Sequence, residues 1–246
     1  LAGMREILII STFKDLPRFK ELLGDGKELG LEISYAVQKE PQGIAQSLVI
    51  GEKFIGDASV CLALGDNIFY GDQLVTLVQE AARLKDGALI FGYYVKDPQR
   101  YGVIGFDKDS NVVSLEEKPK KPKSNWVTCG MYFYDNLASK IAKKLKPSKR
   151  NEIEINDLNK EYLKRGLLKV KLLGRGYAWL DTGTYESLID ASIFIKTIED
   201  RQGLKIGCIE EIAYRKGYIN KLQLLKLADQ TPTSYGVYLK NLLKHE

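Results

Sequence analysis

The chain has 246 residues, 44% of them hydrophobic and 28% charged, and 37 Lys and Arg against 32 Asp and Glu leave a net charge of +5. That length suits one large domain, or a domain with an appendage, built around a sizeable core. Its single histidine, His245, is next to last. This excludes a Ser-His-Asp triad, a Cys-His pair and a His-ligated zinc site inside the fold, and leaves chemistry to carboxylates, Lys, Arg, Tyr or an oxygen-held metal.

Residues 5–11 form a continuous apolar run of buried-strand length. Asp15-Leu16-Pro17 then opens a helix, with Asp15 as N-cap and Pro17 in the first turn, that stops at Gly24. A strand at 31–37, a turn at Pro41-Gln42-Gly43, a helix over 44–54, a strand at 60–64, a helix over 73–84 and a strand at 88–95 follow. This strand-helix rhythm argues for a doubly wound α/β sheet. Residues 101–106 and 112–117 flank a hairpin turn at 107–111, and 126–134 read as another strand. Helices at 136–145 and 153–165, a strand at 168–173 and a long helix over 184–201 complete the body. The expected division is an α/β domain over 1–205 and a small helical appendage over 206–246.

Cys61, Cys129 and Cys208 lie far apart without a C-x-x-C, which argues against a disulfide framework or zinc cluster and fits a reducing compartment. No apolar run approaches the roughly 20 residues of a membrane span, and the start lacks a signal-peptide layout and an initiator Met, as in a fragment. Residues 138–175 hold twelve Lys or Arg against four acids, a surplus of +8 that leaves the remainder at about −3. Such a segment could draw a phosphate-bearing partner, but it also reads as a solvated helix face, and it has few aromatics for stacking nucleic-acid bases.

Three segments carry candidate chemistry. Asp66, in Gly65-Asp66-Asn67, follows a buried strand, where open α/β sheets place their ligands, and suits a Mg²⁺ bridging to phosphates. Asp181, in Asp181-Thr182-Gly183-Thr184, stands between a strand and a long helix that Thr182 or Thr184 could cap. Glu116-Glu117-Lys118-Pro119 ends a strand, where Lys118 could reach a phosphate and alternation sets Glu117 apart from Glu116 and Lys118. Each could equally be a cap, a turn or a surface charge. Gln38 could read a base edge and Gly43 permit close packing on a ring. Tyr101-Gly102 and Arg150, a possible phosphate fork, are weak signals alone.

In order, these pieces resemble one family. They are Gln38…Pro41-Gln42-Gly43-Ile44-Ala45-Gln46, Leu64 through Gly71, Arg100-Tyr101-Gly102-Val103, Leu115 through Pro119, Gly130 through Asp135, and Gly176 through Thr184. The chain looks like the sugar-phosphate nucleotidyltransferases, specifically the glucose-1-phosphate thymidylyltransferases, over essentially its whole length. The resemblance implies a Rossmann-like mixed sheet and Mg²⁺-dependent conversion of dTTP and glucose 1-phosphate to dTDP-glucose and pyrophosphate, which starts dTDP-rhamnose synthesis. It implies a cytoplasmic homotetramer with a regulatory dTDP-sugar site, to which the region around residues 210–215 contributes. It also implies Mg²⁺ on Asp66 and Asp181, the sugar phosphate on Lys118 assisted by Arg150, sugar hydroxyls at Glu117 and Gly102 with Tyr101 alongside, and thymine near Gln38 and Gly43.

Three departures stand out. The family's opening strand and its L-A-G-G-x-G-T-R phosphate loop are missing before Met4, so the resemblance implies poor dTTP binding and little turnover by the chain as given. Thr128-Cys129 precede Gly130, and Asn151 stands where Gly is commoner. The alternatives are a different base or sugar 1-phosphate, or a non-catalytic sugar-nucleotide-binding chain.

Overall fold

The computed structural model describes residues 1–244; His245 lies outside them. In chain order the elements are β1 (Glu6–Thr12), α1 (Leu16–Leu23), β2 (Glu32–Gln38), α2 (Gln46–Ile50), α3 (Glu52–Ile55), β3 (Val60–Ala63), β4 (Asn67–Gly71), α4 (Leu74–Ala81) and β5 (Ala88–Tyr94). Then come β6 (Gly102–Phe106), β7 (Val112–Glu117), β8 (Trp126–Tyr134), α5 (Ala138–Ala142), α6 (Ile155–Lys164), β9 (Leu168–Leu173), β10 (Tyr177–Asp181), α7 (Tyr185–Gln202), α8 (Ile209–Arg215), α9 (Lys221–Gln230) and α10 (Ser234–Leu242). The chain divides into two compact units. One gathers residues 3–37 with the chain from Ser192 onward, and the other holds residues 38–191.

In the second unit a six-stranded sheet runs β7-β6-β8-β5-β9, and β3 also pairs with β8. Long β8 is shared end to end. Its first half meets β6 at Val103↔Val127, and its second half meets β3 from Ala63↔Met131 to Val60↔Tyr134. β5 and β9 are parallel, whereas β5·β8, β3·β8, β6·β7 and β6·β8 are antiparallel. Alternate side chains feed two cores, because successive strand residues point to opposite faces. Ile90, Tyr132 and Tyr134 pack with Leu48 of α2, Ile141 of α5 and Leu158 of α6. Leu89, Phe91 and Phe133 pack with Val78 of α4 and with Trp179. Helices therefore lie on both faces of a mixed sheet, the layering expected of this α/β class. β4 and β10 form a separate antiparallel ribbon whose register sets Asp181 opposite Asn67.

In the first unit β1 and β2 pair in a two-stranded sheet, and α8, α9 and α10 share a core of Ala213, Ile219, Leu224, Ala228 and Leu239. Gly30 has φ +67, and a side chain there would strike the Tyr218 carbonyl. Arg5 donates to the Gly30 carbonyl at 2.8 Å and stacks over the Tyr218 ring.

Three local expectations change. The helix over 44–54 is two short helices broken at Gly51, the poorest helix former in the segment after proline. Asp15 occupies the N-cap of α1, but its carboxylate makes no cap bond and instead accepts from Thr12 Oγ1 at 2.7 Å. No strand is expected at 67–71, yet β4 forms there around Ile68-Phe69-Tyr70, directly after the Asp66 turn, and pairs with distant β10.

Candidate active site

All nine candidate residues lie in the second unit. Asp66 sits in the turn between β3 and β4 and is exposed, while Asp181 closes β10 and is half-buried. Asn67 organises this end. Its Oδ1 accepts from Trp179 Nε1 at 2.7 Å and from the Gly130 backbone N–H at 3.2 Å, so its Nδ2 is left to donate to Asp66 Oδ1 at 2.8 Å. Thr182 donates both its N–H and its hydroxyl to the Asp66 carbonyl at 2.9 Å, locking the two Asp turns together. Asp181 Oδ1 accepts from the Gly183 N–H at 3.1 Å. A side chain begun at Gly183 would find an oxygen of Asp181 at 3.2 Å and one of Asp66 at 3.8 Å, so both carboxylates face one small space that glycine leaves open. Thr184 Oγ1 accepts from the Ser187 N–H at 3.2 Å and thus caps α7.

Glu117 sits differently. It ends β7 directly opposite Gly102 on β6. Its Oε2 accepts from Asn156 Nδ2 at 2.6 Å, and Arg150 approaches its Oε1 at 3.5 Å. Burial pushes this carboxyl above the usual range and Glu154 adds to the shift, against the downward pull of the Asn156 hydrogen bond, Lys118 and Arg150. Gly102 is glycine for a steric reason, since a Cβ there would collide with the Asn156 amide nitrogen and press on Thr128 Oγ1. Arg150 is held among carboxylates, at 2.6 Å from Glu152 and 3.7 Å from Glu154. Asn151 takes φ +60, a left-handed conformation that Asn tolerates in glycine's place.

Lys118 lies just past β7 at φ +42, exposed. Its ammonium forms no hydrogen bond or ion pair among the described residues, in contrast to Glu116, which pairs with Lys123 at 2.6 Å. Its backbone N–H donates to the Tyr101 carbonyl at 3.0 Å. The Tyr101 ring packs edge-on against Trp179 with centroids 5.1 Å apart. Burial raises the Tyr101 phenol, and the Asp181 charge adds to that rise. Tyr101 therefore joins the Asp66–Asp181 end to the Glu117–Lys118 end, and β8 runs behind both through Thr128 and Gly130.

Gln38 and Gly43 belong to a turn of amides. Gln38 Nε2 donates to Gln46 Oε1 at 2.5 Å, and Gln46 Nε2 donates to Gln42 Oε1 at 2.8 Å. Gly43 has φ +102, and a side chain would strike the Ile153 backbone, whose N–H donates to the Gln42 carbonyl at 2.7 Å. The turn is thereby tied to the 150–154 segment that also carries Arg150. In the basic stretch many cations are spoken for, with Lys143 on Glu52, Lys160 on Asp157, Lys164 on Glu161 and Lys171 on Glu80.

A carboxylate pair at strand ends, linked through the Tyr101 and Trp179 rings to the segment that carries an uncommitted lysine, suits phosphate-bearing ligands. Residues 1–198 match the family model described as Nucleotidyl transferase. The chain belongs to that family. It is 52% identical over 245 residues to a glucose-1-phosphate thymidylyltransferase of Neisseria meningitidis, covering 99% of this chain and 85% of the relative. It is 53% identical over 247 residues to one of Mycolicibacterium smegmatis, again covering 85% of that protein. A Bacillus anthracis crystal structure described as a glucose-1-phosphate thymidylyltransferase in complex with a sucrose superposes with a TM-score of 0.70 at 38% identity, over 77% of this chain and 76% of that one. A UDP-glucose pyrophosphorylase complexed with UDP-glucose shares the fold at a TM-score of 0.64 and 21% identity, over 80% of this chain and 82% of that one.

The donor set of this nucleotidyl transferase fits a hard divalent cation. It offers two carboxylates and leaves the remaining positions to substrate oxygens and water, the habit of Mg²⁺ beside phosphates. Among the described residues no group of three or more His, Cys, Asp and Glu stands together. Among them, too, no helix is long and apolar enough to cross a membrane. Sequence reasoning gives no functional role to Asn67, Trp179 or Asn156, and marks Thr128 only as a departure from the family pattern. Asn67 and Trp179 were open to recognition as neighbours of the two aspartates, but Asn156 meets Glu117 across 39 positions and leaves no local signal.

Proposed function

We propose that the chain transfers a thymidylyl group from dTTP to glucose 1-phosphate, giving dTDP-glucose and pyrophosphate at the start of dTDP-rhamnose synthesis. The observation that carries this reading is the convergence of Asp66 and Asp181 on one open space, joined through Trp179 and Tyr101 to the uncommitted Lys118. In this reaction a phosphate oxygen of the sugar attacks the α-phosphorus of dTTP. The bond from that phosphorus to the bridging oxygen breaks, and pyrophosphate leaves with the electron pair. The nucleophile is already an anion near neutral pH, so no histidine base is needed, and catalysis rests on positioning and charge neutralisation.

Asp66 and Asp181 would hold Mg²⁺, which neutralises phosphate charge when bound. Lys118 meets the sugar phosphate as a point charge and Arg150 assists it. Glu117, with Gly102 and Tyr101 alongside, accepts from sugar hydroxyls, and Gln38 with Gly43 forms the floor and edge for thymine. We further propose a cytoplasmic homotetramer, a regulatory dTDP-sugar site involving the 210–215 region, and a division into a catalytic domain over 1–205 and a helical appendage over 206–246. Release of pyrophosphate from dTTP and glucose 1-phosphate, with Mg²⁺ present and withheld, tests the reading. Metal-dependent release with dTTP above UTP, CTP and ATP is the expected result. A preference for another nucleotide, or release unchanged by D66N and D181N, would overturn it.

A further inference from the structure

Behind Glu117 runs a line of buried polar groups that the proposed reaction does not use. Tyr134, on β8, is fully buried, and Asn159 and Asn156, one turn apart on α6, are 0% and 1% exposed. The Tyr134 hydroxyl lies 2.6 Å from Asn159 Oδ1 and has no other hydrogen-bond partner among the described residues. Burial holds this phenol far above its usual range, so it remains a proton donor. Asn159 must then present its carbonyl oxygen to Tyr134 and its amide nitrogen to Asn156 Oδ1, 3.3 Å away. That contact leaves Asn156 only Nδ2 to offer, and it points at Glu117 Oε2 at 2.6 Å. The donors run one way, from a core tyrosine through two amides to the carboxylate. Each orientation is fixed by the group behind it, because an amide carries one acceptor end and one donor end.

We infer that Asn156 is a positioning residue which, held by Asn159 and Tyr134, occupies one oxygen of Glu117 permanently, so that the other, which Arg150 approaches at 3.5 Å, has its remaining lone pair turned to a sugar hydroxyl. The inference rests on the proposed role of Glu117 at the sugar and adds what sets that carboxylate's direction. Two features support it. Gly102, opposite Glu117, has no side chain at the one place where a Cβ would displace the Asn156 amide. In addition, among the described residues no buried side-chain nitrogen or oxygen lacks a partner, so a flip of either amide would set two acceptors or two donors face to face.

The charged and titratable groups around Glu117 are Lys118 beside it, Arg150 and Glu152 on the preceding loop, Glu154 at the start of α6, and Tyr132 on β8. N156D keeps the shape of the residue and replaces its donor by a second acceptor. At pH 8 it should weaken glucose 1-phosphate binding, read by calorimetry, about tenfold or more, as expected when a charged group loses a buried hydrogen bond. The loss should shrink toward pH 5, where the two carboxyls can share a proton. The double variant N156D/E117Q reverses the pair, so that the new amide donates back to the new carboxylate, and it should bind more tightly than N156D alone, though more weakly than the parent because an amide carbonyl accepts less strongly than a carboxylate. Y134F, which releases the first amide, should cost about two- to fivefold. Thymidine binding serves as the control and should stay unchanged in all of them. Additive losses in N156D/E117Q, or parent-like affinity in both N156D and Y134F, would overturn the inference. Should N156D fail to fold, parent-like affinity in Y134F alone would overturn it. Failure of the parent chain itself to bind glucose 1-phosphate would instead overturn the sugar-phosphate reading on which the inference stands.

Discussion

The two carboxylate clusters of the second unit are built on the same device and tuned to opposite ends. At one, Asn67 has its carbonyl oxygen taken by Trp179 and Gly130 and turns its amide to Asp66. At the other, Asn156 has its carbonyl oxygen taken by Asn159 and turns its amide to Glu117. In both, the fold fills one end of an asparagine so that the other end must meet a carboxylate. The surroundings differ. Asp66 is exposed, with Asp181 across an open space, which suits a hydrated cation and phosphate oxygens. Glu117 is desolvated and its carboxyl is raised, which suits a hydroxyl group that gains from a strong acceptor out of water. Local hydrogen-bond geometry aims a carboxylate, and burial decides what it is aimed at.

Neutralising the exposed end should cut deepest into activity and least into stability. D66N and D181N are expected to lower pyrophosphate release by about 100- to 1000-fold, the scale of losing a preorganised charge partner at the reacting phosphates, while denaturant midpoints hold steady. A matching drop in stability would erase the contrast between the ends. G102A should do the reverse. Its methyl group collides with the Asn156 amide, and the resulting overpacking should cost about 1–3 kcal/mol in urea unfolding and weaken sugar-phosphate binding with it.

N67L leaves the Trp179 and Gly130 donors without an acceptor. It should cost about 1–3 kcal/mol in the same assay and shift the Mg²⁺ dependence of turnover without changing the affinity for glucose 1-phosphate. The smallest effect concerns pH. Folded Glu117 holds its proton more tightly than the ordinary value of 4.5, so its contribution to stability is present below 4.5 and lost as pH rises through the folded value. E117Q lacks that loss. Thermal melts should therefore show E117Q gaining on the parent as pH rises above 4.5.

Some of this was legible in the residue order. β8 runs over the span its apolar pattern predicts, the β6–β7 hairpin turns at Asp107–Asn111, and Asp66 and Asp181 stand at strand ends as their Gly-flanked motifs imply. The pairing was not legible. A regular strand-helix rhythm suggests parallel neighbours, yet only β5·β9 is parallel among the strand pairs of the large sheet, because β8 enters between β5 and both β3 and β6 from far along the chain. β4 was hidden for the same reason, since its partner β10 lies more than 100 positions away. Gly43 and Gly102 were read for ligand contact. Both have a prior steric reason, one against the Ile153 backbone and the other against Asn156, that only the folded chain discloses.

The contrast between a solvated and a desolvated carboxylate is tested most directly by a carboxyl-carbon NMR titration of Glu117 in the intact chain. The account predicts an inflection above 4.5. An inflection at or below 4.5 would mean that Glu117 is as well solvated as an ordinary surface carboxylate, and would contradict it.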